Sequence, residues 1–122
     1  MLRLELMVQD PDRSLAFYVE VLGFSLMGGG SGTYRPLERG TTRISIQDIA
    51  TLPDDHPLRT EGKVGGGVEL VLEVVDLSTV YEHVAARWPI AGDLDRRPWG
   101  LRDFRVIDPD GFYWRITEVS AG

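Results

Sequence analysis

An α+β fold built from two βαβββ units is predicted by three features of the 122-residue sequence. Two segments, Leu2–Val8 and Val68–Val74, alternate along the chain as half-buried strands do. An aspartate and then a helical pattern follow each of them at the same distance. Three further strand-like pieces follow each helix. The repeat is too long for a solenoid and too short for two independent domains, so the two units are expected to share a core.

The elements follow in order. On the first strand Leu2, Leu4, Leu6 and Val8 share one face, leaving Arg3, Glu5 and Met7 on the other. Asp10 can cap a helix, and Pro11 suits its first position, where a missing N–H costs nothing. Leu15, Tyr18 and Leu22 form its apolar stripe, and Gly23 closes it as a left-handed cap. Strands are expected at about Phe24–Met27, Thr33–Pro36 and Thr42–Gln47. In the second unit Val68, Leu70, Leu72 and Val74 repeat the apolar face, opposite Glu69, Val71 and Glu73. Asp76 repeats the cap, Tyr81, Val84 and Trp88 make the stripe, and Pro89 stops the helix. The remaining strands fall at about Gly92–Leu94, Leu101–Ile107 and Phe112–Val119. Asp108-Pro109-Asp110-Gly111 is a turn signal joining the last two as a hairpin. The chain thus reads as one domain, 1–122, with a first module at about 1–50, a Gly- and Pro-containing linker at about 51–67 and a second module at about 68–119.

Composition narrows the function. With 43% apolar and 26% charged residues the chain is an ordinary globular sequence, and 13 basic against 19 acidic side chains give a net charge of -6. Such a surface repels nucleic-acid phosphates and anionic lipid, so neither nucleic acid nor membrane is expected as a partner. No stretch is long and apolar enough to span a bilayer, and the charged N-terminus does not read as a signal peptide. Cysteine is absent, which removes disulfides, thiolate metal sites and Cys nucleophiles together. A cytoplasmic location is expected.

Alternation also separates the faces of the later strands. Ile44 and Ile46 oppose Arg43, Ser45 and Gln47, while Phe112, Trp114 and Ile116 oppose Tyr113, Arg115 and Thr117. Four strands therefore present a mixed polar face opposite an apolar one, either as a plain solvated surface or as the floor of a wet cleft.

The run from Leu4 to Phe24, with Asp10, Arg13-Ser14-Leu15-Ala16-Phe17-Tyr18 and Leu22-Gly23-Phe24, resembles the opening of the vicinal oxygen chelate superfamily of glyoxalases, bleomycin-resistance proteins and extradiol dioxygenases. Pro98-Trp99-Gly100, Phe104-Arg105-Val106 and Asp108-Pro109-Asp110-Gly111 resemble the ending of its bleomycin-resistance-like members. The resemblance covers nearly the whole chain. It implies paired βαβββ modules forming an open, cup-shaped mixed β-sheet, in a protein that dimerises. It implies activity far less firmly, because one fold hosts many chemistries.

Enzymes of that superfamily hold one divalent ion with His or Glu side chains, one from the first and one from the last strand of each module. Carried over, those positions fall on Arg3, on Glu69, on Arg115 and on either Ser45 or Gln47. Only Glu69 is a metal ligand, since Arg offers no lone pair and keeps its proton. The resemblance therefore implies a fold without the familiar metal site and with no cofactor. Arg3, Glu69 and Arg115 are expected to meet on the cleft floor, either neutralising one another or leaving a guanidinium for an anionic or carbonyl-bearing ligand.

Other motifs carry less. His83 reads as a surface residue, and Asp54-Asp55-His56 as solvated loop charges rather than ligands. Gly28-Gly29-Gly30-Ser31-Gly32 lacks the following Lys and helix of a phosphate loop and reads as a flexible hairpin or cleft edge. Trp114 and Phe112 are assigned to the core. Trp99, Tyr113 and Tyr34 are the aromatic residues placed to stack on a ring or hold a cation.

The function expected is metal-independent sequestration of a drug or metabolite. Trp99, Tyr113 and Tyr34 would stack, Glu5, Glu69 and Glu73 would supply negative potential, and Arg3 and Arg115 would donate hydrogen bonds, with Ser45 and Gln47 also lining the cleft. The alternative is a glyoxalase-like lyase or isomerase, or a dioxygenase, with an atypical metal site or with Glu69 and Arg115 doing metal-free chemistry. Positive neighbours stabilise a carboxylate and weaken it as a base, which counts against that alternative.

Overall fold

The computed structural model describes residues 1–28, 32–59 and 65–119. Contacts group the chain into two compact units, Met1–Lys63 and Val64–Gly122, each with its own sheet and helix.

In the first unit β1 (Leu4–Val8) leads to α1 (Pro11–Ala16), followed by β2 (Ser25–Leu26), β3 (Tyr34–Arg39) and β4 (Thr42–Asp48). The sheet order is β1-β4-β3-β2, with β1 parallel to β4 and the other pairs antiparallel. The second unit repeats this with β5 (Leu70–Val74), α2 (Leu77–Ala85), β6 (Gly92–Arg96), β7 (Arg102–Ile107) and β8 (Tyr113–Glu118), in the order β5-β8-β7-β6. Each sheet is mixed and open, so the expected pair of βαβββ modules is present, with strand ends displaced by a few residues.

The aspartates do the local work expected of them. Asp10 accepts the amides of Asp12 and Arg13 through Oδ1, and Asp76 accepts that of Thr79. Beyond Ala16 the first helix widens into a π-helical turn over Phe17–Val21, closed by the Leu22 amide on the Phe17 carbonyl at 3.2 Å. The wider turn buries two adjacent pairs, Phe17 with Tyr18 and Val21 with Leu22, where an α-helical stripe was expected to bury Leu15, Tyr18 and Leu22. Leu15 is only half-buried. Gly23 then takes φ 79°, a left-handed value that suits its predicted role as cap.

Leu6, Val8, Leu37, Ile44 and Ile46 form the core face of the first sheet, and Leu72, Val74, Phe104, Val106, Trp114 and Ile116 that of the second. Arg35 is the polar exception. It lies on the core face opposite Ile46, nearly buried, with its guanidinium on Asp12 at 2.8 Å and on the Gly32 carbonyl at 2.8 Å. Phe112, assigned to the core, precedes β8 and is only half-buried, lying against Gly65.

Asp108 builds the expected turn: its Oδ1 accepts the amides of Asp110 and Phe112, and Gly111 adopts φ 103°. The linker begins with a 3-10 turn at Ile49–Thr51 and carries no further helix or strand among its described residues. Residues 60–64 of the linker, and residues 29–31 of the Gly-rich segment read as a hairpin or cleft edge, lie outside the described residues.

Candidate functional site

The polar faces follow from strand register. In the first unit Glu5 lies opposite Ser45 and Ser45 opposite Pro36, while Met7 and Tyr34 both oppose Gln47. In the second unit Val71 lies opposite Arg115 and Arg115 opposite Arg105, with Glu73 and Asp103 both opposite Thr117.

Register also settles the choice left open between Ser45 and Gln47. Glu5 and Val71 are repeat equivalents, and their partners across the parallel pairing are Ser45 and Arg115. Ser45 is therefore the counterpart of Arg115. The four positions given to metal ligands by resemblance are Arg3 and Ser45 in one unit, Glu69 and Arg115 in the other.

In the first unit Arg3 and Ser45 are joined through a phenol. Tyr34 Oη accepts from Arg3 Nη2 at 2.9 Å and lies 2.9 Å from Ser45 Oγ and 3.2 Å from Glu5 Oε1. Arg3 also reaches Glu5 Oε1 at 3.3 Å. Ser45 is buried, whereas Tyr34, Arg3 and Glu5 are exposed. Beside this cluster runs a groove of about 230 Å³ whose walls include Arg3, Leu4, Met27, Tyr34, Pro36 and Ser45. Gln47 does not join the cluster, because its amide donates to Thr51 Oγ1 at 2.8 Å in the following turn.

In the second unit Arg115 Nε donates directly to Glu69 Oε1 at 2.9 Å. The Arg115 guanidinium carbon sits 5.6 Å from the centre of the Trp99 ring, a cation–π approach. Trp99 is held in a loop closed by the Arg97 amide on the Leu101 carbonyl, and the residue is 55% exposed. Tyr113 is half-buried and its hydroxyl accepts from Arg105 Nη1 at 3.3 Å. That bond is the main reason the Arg105 guanidinium is held above its ordinary pKa. Glu73 is exposed in the row of Thr117 and Asp103.

Beneath these side chains lies a carboxylate that sequence reading missed. Asp103 has no exposure. Its Oδ1 takes Arg97 Nε at 2.7 Å and stands 3.7 Å from Arg105 Nε, and its Oδ2 is 3.8 Å from Arg115 Nη1. Oδ2 of Asp103 and Nε of Arg105 are both buried without a hydrogen bond. Asp103, Arg97 and Arg105 thus belong to the same surface as Glu69, Trp99, Tyr113 and Arg115. The available signal was the alternation of β7, where buried Phe104 and Val106 force Asp103 and Arg105 onto the face of Arg115.

The donor set does not fit a divalent ion. Of the four carried-over positions only Glu69 bears a carboxylate, and a guanidinium already holds it. Among the described residues no three His, Cys, Asp or Glu side chains come together in a metal-binding group. His56 uses Nδ1 to accept the Leu58 amide at 3.1 Å, so it shapes its loop. His83 is exposed on α2.

The sequence family described as the Glyoxalase/Bleomycin resistance protein/Dioxygenase superfamily matches residues 1–116. The chain belongs to that superfamily. Among characterised relatives, the bleomycin resistance protein of Geobacillus stearothermophilus is 28% identical over 112 residues, covering 84% of each chain. A protein of unknown function from Agrobacterium tumefaciens superposes with a TM-score of 0.79 at 25% identity, over 98% of this chain and 94% of its own. TioX from Micromonospora sp. ML1 superposes with a TM-score of 0.74 at 27% identity, over 96% of both chains. At the positions that the resemblance gives to metal ligands, Arg3, Ser45 and Arg115 bear neither an imidazole nor a carboxylate. Among the described residues, no helix is long and apolar enough to cross a membrane.

Proposed function

We propose that this superfamily member binds a small organic molecule, a drug or a metabolite, on the polar faces of its sheets and without a metal ion. The observation that carries the reading is the 2.9 Å pair between Arg115 Nε and Glu69 Oε1. It ties up the sole carboxylate among the four carried-over ligand positions and sets a permanent positive charge where a cation would bind. The similarity to bleomycin resistance proteins supports sequestration over turnover.

In this reading Trp99 and Tyr113 offer aromatic surface in the second unit and Tyr34 does so in the first. Arg3 and Arg115 donate hydrogen bonds, Ser45 and Gln47 contribute polar contacts, and Glu5, Glu69 and Glu73 shape the potential. The protein works in the cytoplasm as a homodimer; light scattering on the purified chain checks the dimer, and fractionation of the cell the location.

The test is metal retention followed by ligand screening. Tag-free protein is incubated with Mn, Fe, Co, Ni and Zn salts, desalted and assayed by mass spectrometry, then screened against a compound library by thermal shift. The expected result is far less than one ion per chain, together with stabilisation by compounds in metal-free buffer. Retention of one ion per chain, abolished by Glu69→Gln, would replace this reading with a metal-dependent lyase, isomerase or dioxygenase.

A further inference from the structure

We infer that the polar face of the second unit is a site for an aromatic anion, a flat ring bearing a carboxylate, which Arg115 and Arg105 receive beside the indole of Trp99. The inference rests on the small-molecule reading above and names its ligand class.

Charge is the first argument. The chain as a whole carries -6, yet this patch gathers the guanidiniums of Arg97, Arg105 and Arg115 around the carboxylates of Asp103 and Glu69. The row of Val71, Arg115 and Arg105 holds two guanidiniums and no carboxylate. Glu73 and Asp95, further carboxylates of the face, stand in the row of Thr117 and Asp103, one row away from Arg115 and Arg105. A cationic ligand would have to approach two guanidiniums, whereas an anion finds both.

Positioning is the second argument. Arg105 and Arg115 are neighbours across the β7–β8 pairing, where like charges would ordinarily splay apart. Asp103 holds them from below without satisfying them: its contacts to Arg105 Nε and Arg115 Nη1 are 3.7 and 3.8 Å, too long for hydrogen bonds. Its Oδ2 and the Arg105 Nε are buried and unbonded. The guanidiniums are gathered but under-used, and Nη2 of each has no hydrogen-bond partner among the described residues. A carboxylate spanning two such forks gains charge-assisted bonds that neither makes within the protein.

Shape is the third argument. Gly92 lies opposite Arg105, and a Cβ there would press on Arg105 Cδ at 3.3 Å, so the glycine lets Arg105 lie flat over β6. Around the forks the surface is apolar and open: Trp99 is 55% exposed, Val71 46% and Ile107 44%. A ring can bury against these groups while its carboxylate faces the arginines. A free inorganic anion gains no such contact.

The experiment is calorimetric titration of the full chain with three isosteric probes: naphthalene-2-carboxylate, 2-naphthamide and 2-naphthylmethylammonium. The carboxylate is expected to bind about tenfold or more tighter than either of the others, the scale of one charged hydrogen bond. Arg105→Met should bring the carboxylate down to the affinity of the amide, and Arg105→Lys, which keeps the charge and the fold but not the fork, should fall between. Trp99→Leu should weaken the carboxylate and the amide by similar factors. Equal affinities, or a preference for the ammonium, overturn this inference and leave the small-molecule reading in place. So does silence from all three probes when other compounds bind in the library screen. Silence from the probes and from the library overturns both.

Discussion

Arg97 Nε donates to Asp103 Oδ1 at 2.7 Å, and among the described residues that aspartate is the only acidic one with no exposure at all. A buried carboxylate is costly unless it is paired, and removing it leaves its guanidinium partners uncompensated. Those partners keep about a quarter of their surface in water, with side-chain exposures of 23% for Arg97, 26% for Arg105 and 22% for Arg115. They can therefore hydrate in part, and the loss falls below that of a fully buried pair. Asp103→Asn is expected to destabilise the protein by about 2–3 kcal/mol. A urea unfolding curve should show a lower midpoint with an unchanged slope. A loss of under about 0.5 kcal/mol would mean that the arginines do not depend on Asp103.

Much of this architecture was readable beforehand, for reasons that differ between residues. Leu4 with Leu70 and Asp10 with Asp76 announce the repeat because strand alternation and helix capping are local requirements. The π-helical turn at Phe17–Val21 was not readable, because the sequence shows apolar residues without the number of residues per turn. Ser45 could not be told from Gln47, since the answer depends on the parallel pairing of β1 with β4 and not on spacing within β4. The Asp103 cluster was missed for a third reason. A charged residue on a polar strand face reads as solvated, and only the register of β7 against β8, together with the loop carrying Arg97, buries it. A contact of Glu69 with Arg115 was expected as one half of a network with Arg3, and it is the half seen within the second unit; the phenol of Tyr34 as the link between Arg3 and Ser45 was not expected.

The first helix depends on its cap. Asp10 Oδ1 accepts the Asp12 amide at 3.1 Å and the Arg13 amide at 3.3 Å, two donors that have no carbonyl of their own within the helix. Asp10→Ala should cost about 1 kcal/mol, and Asp10→Asn only a few tenths, because the amide oxygen of Asn caps nearly as well. Chemical denaturation of the two variants side by side checks this. Equal losses would point to the charge, not the hydrogen bonds, as the source of the effect.

Acid should destabilise the second unit through two carboxylates. Glu118 is held below the ordinary glutamate range, first by the backbone amide of Arg102, which donates to Oε1 at 2.8 Å, and then by the Arg102 guanidinium. Asp76 is lowered by the hydroxyl and amide of Thr79. A carboxyl group whose pKa is lower folded than unfolded adds stability that is complete above its unfolded value. That stability is lost as pH falls through the folded value. Arg105 shifts the other way but stays protonated throughout, so it adds no slope in this window. The unfolding midpoint is therefore expected to drop from about pH 5 downward, and Glu118→Gln should flatten that drop while lowering the plateau near neutrality. A wild-type and a Glu118→Gln curve that stay parallel from neutral to acid pH would refute the assignment to this residue.

Tyr34 tests the first unit in the same terms. Its hydroxyl accepts from Arg3 Nη2 at 2.9 Å and meets Ser45 Oγ at 2.9 Å, so its removal strips the buried serine of that partner while the exposed arginine turns to water. The cost should come from the serine. Tyr34→Phe is expected to destabilise by about 1 kcal/mol, and Ser45→Ala by less, since the alanine takes the unsatisfied group away with the bond. In Tyr34→Phe combined with Ser45→Ala the two losses should not add, leaving a coupling of about 0.5–1 kcal/mol in a double-mutant cycle. Arg3→Met, by contrast, should change stability little, because both of its contacts are exposed at the sheet edge. Full additivity between the Tyr34 and Ser45 changes would mean that the 2.9 Å contact carries no net energy and that the phenol is free to turn toward a ligand.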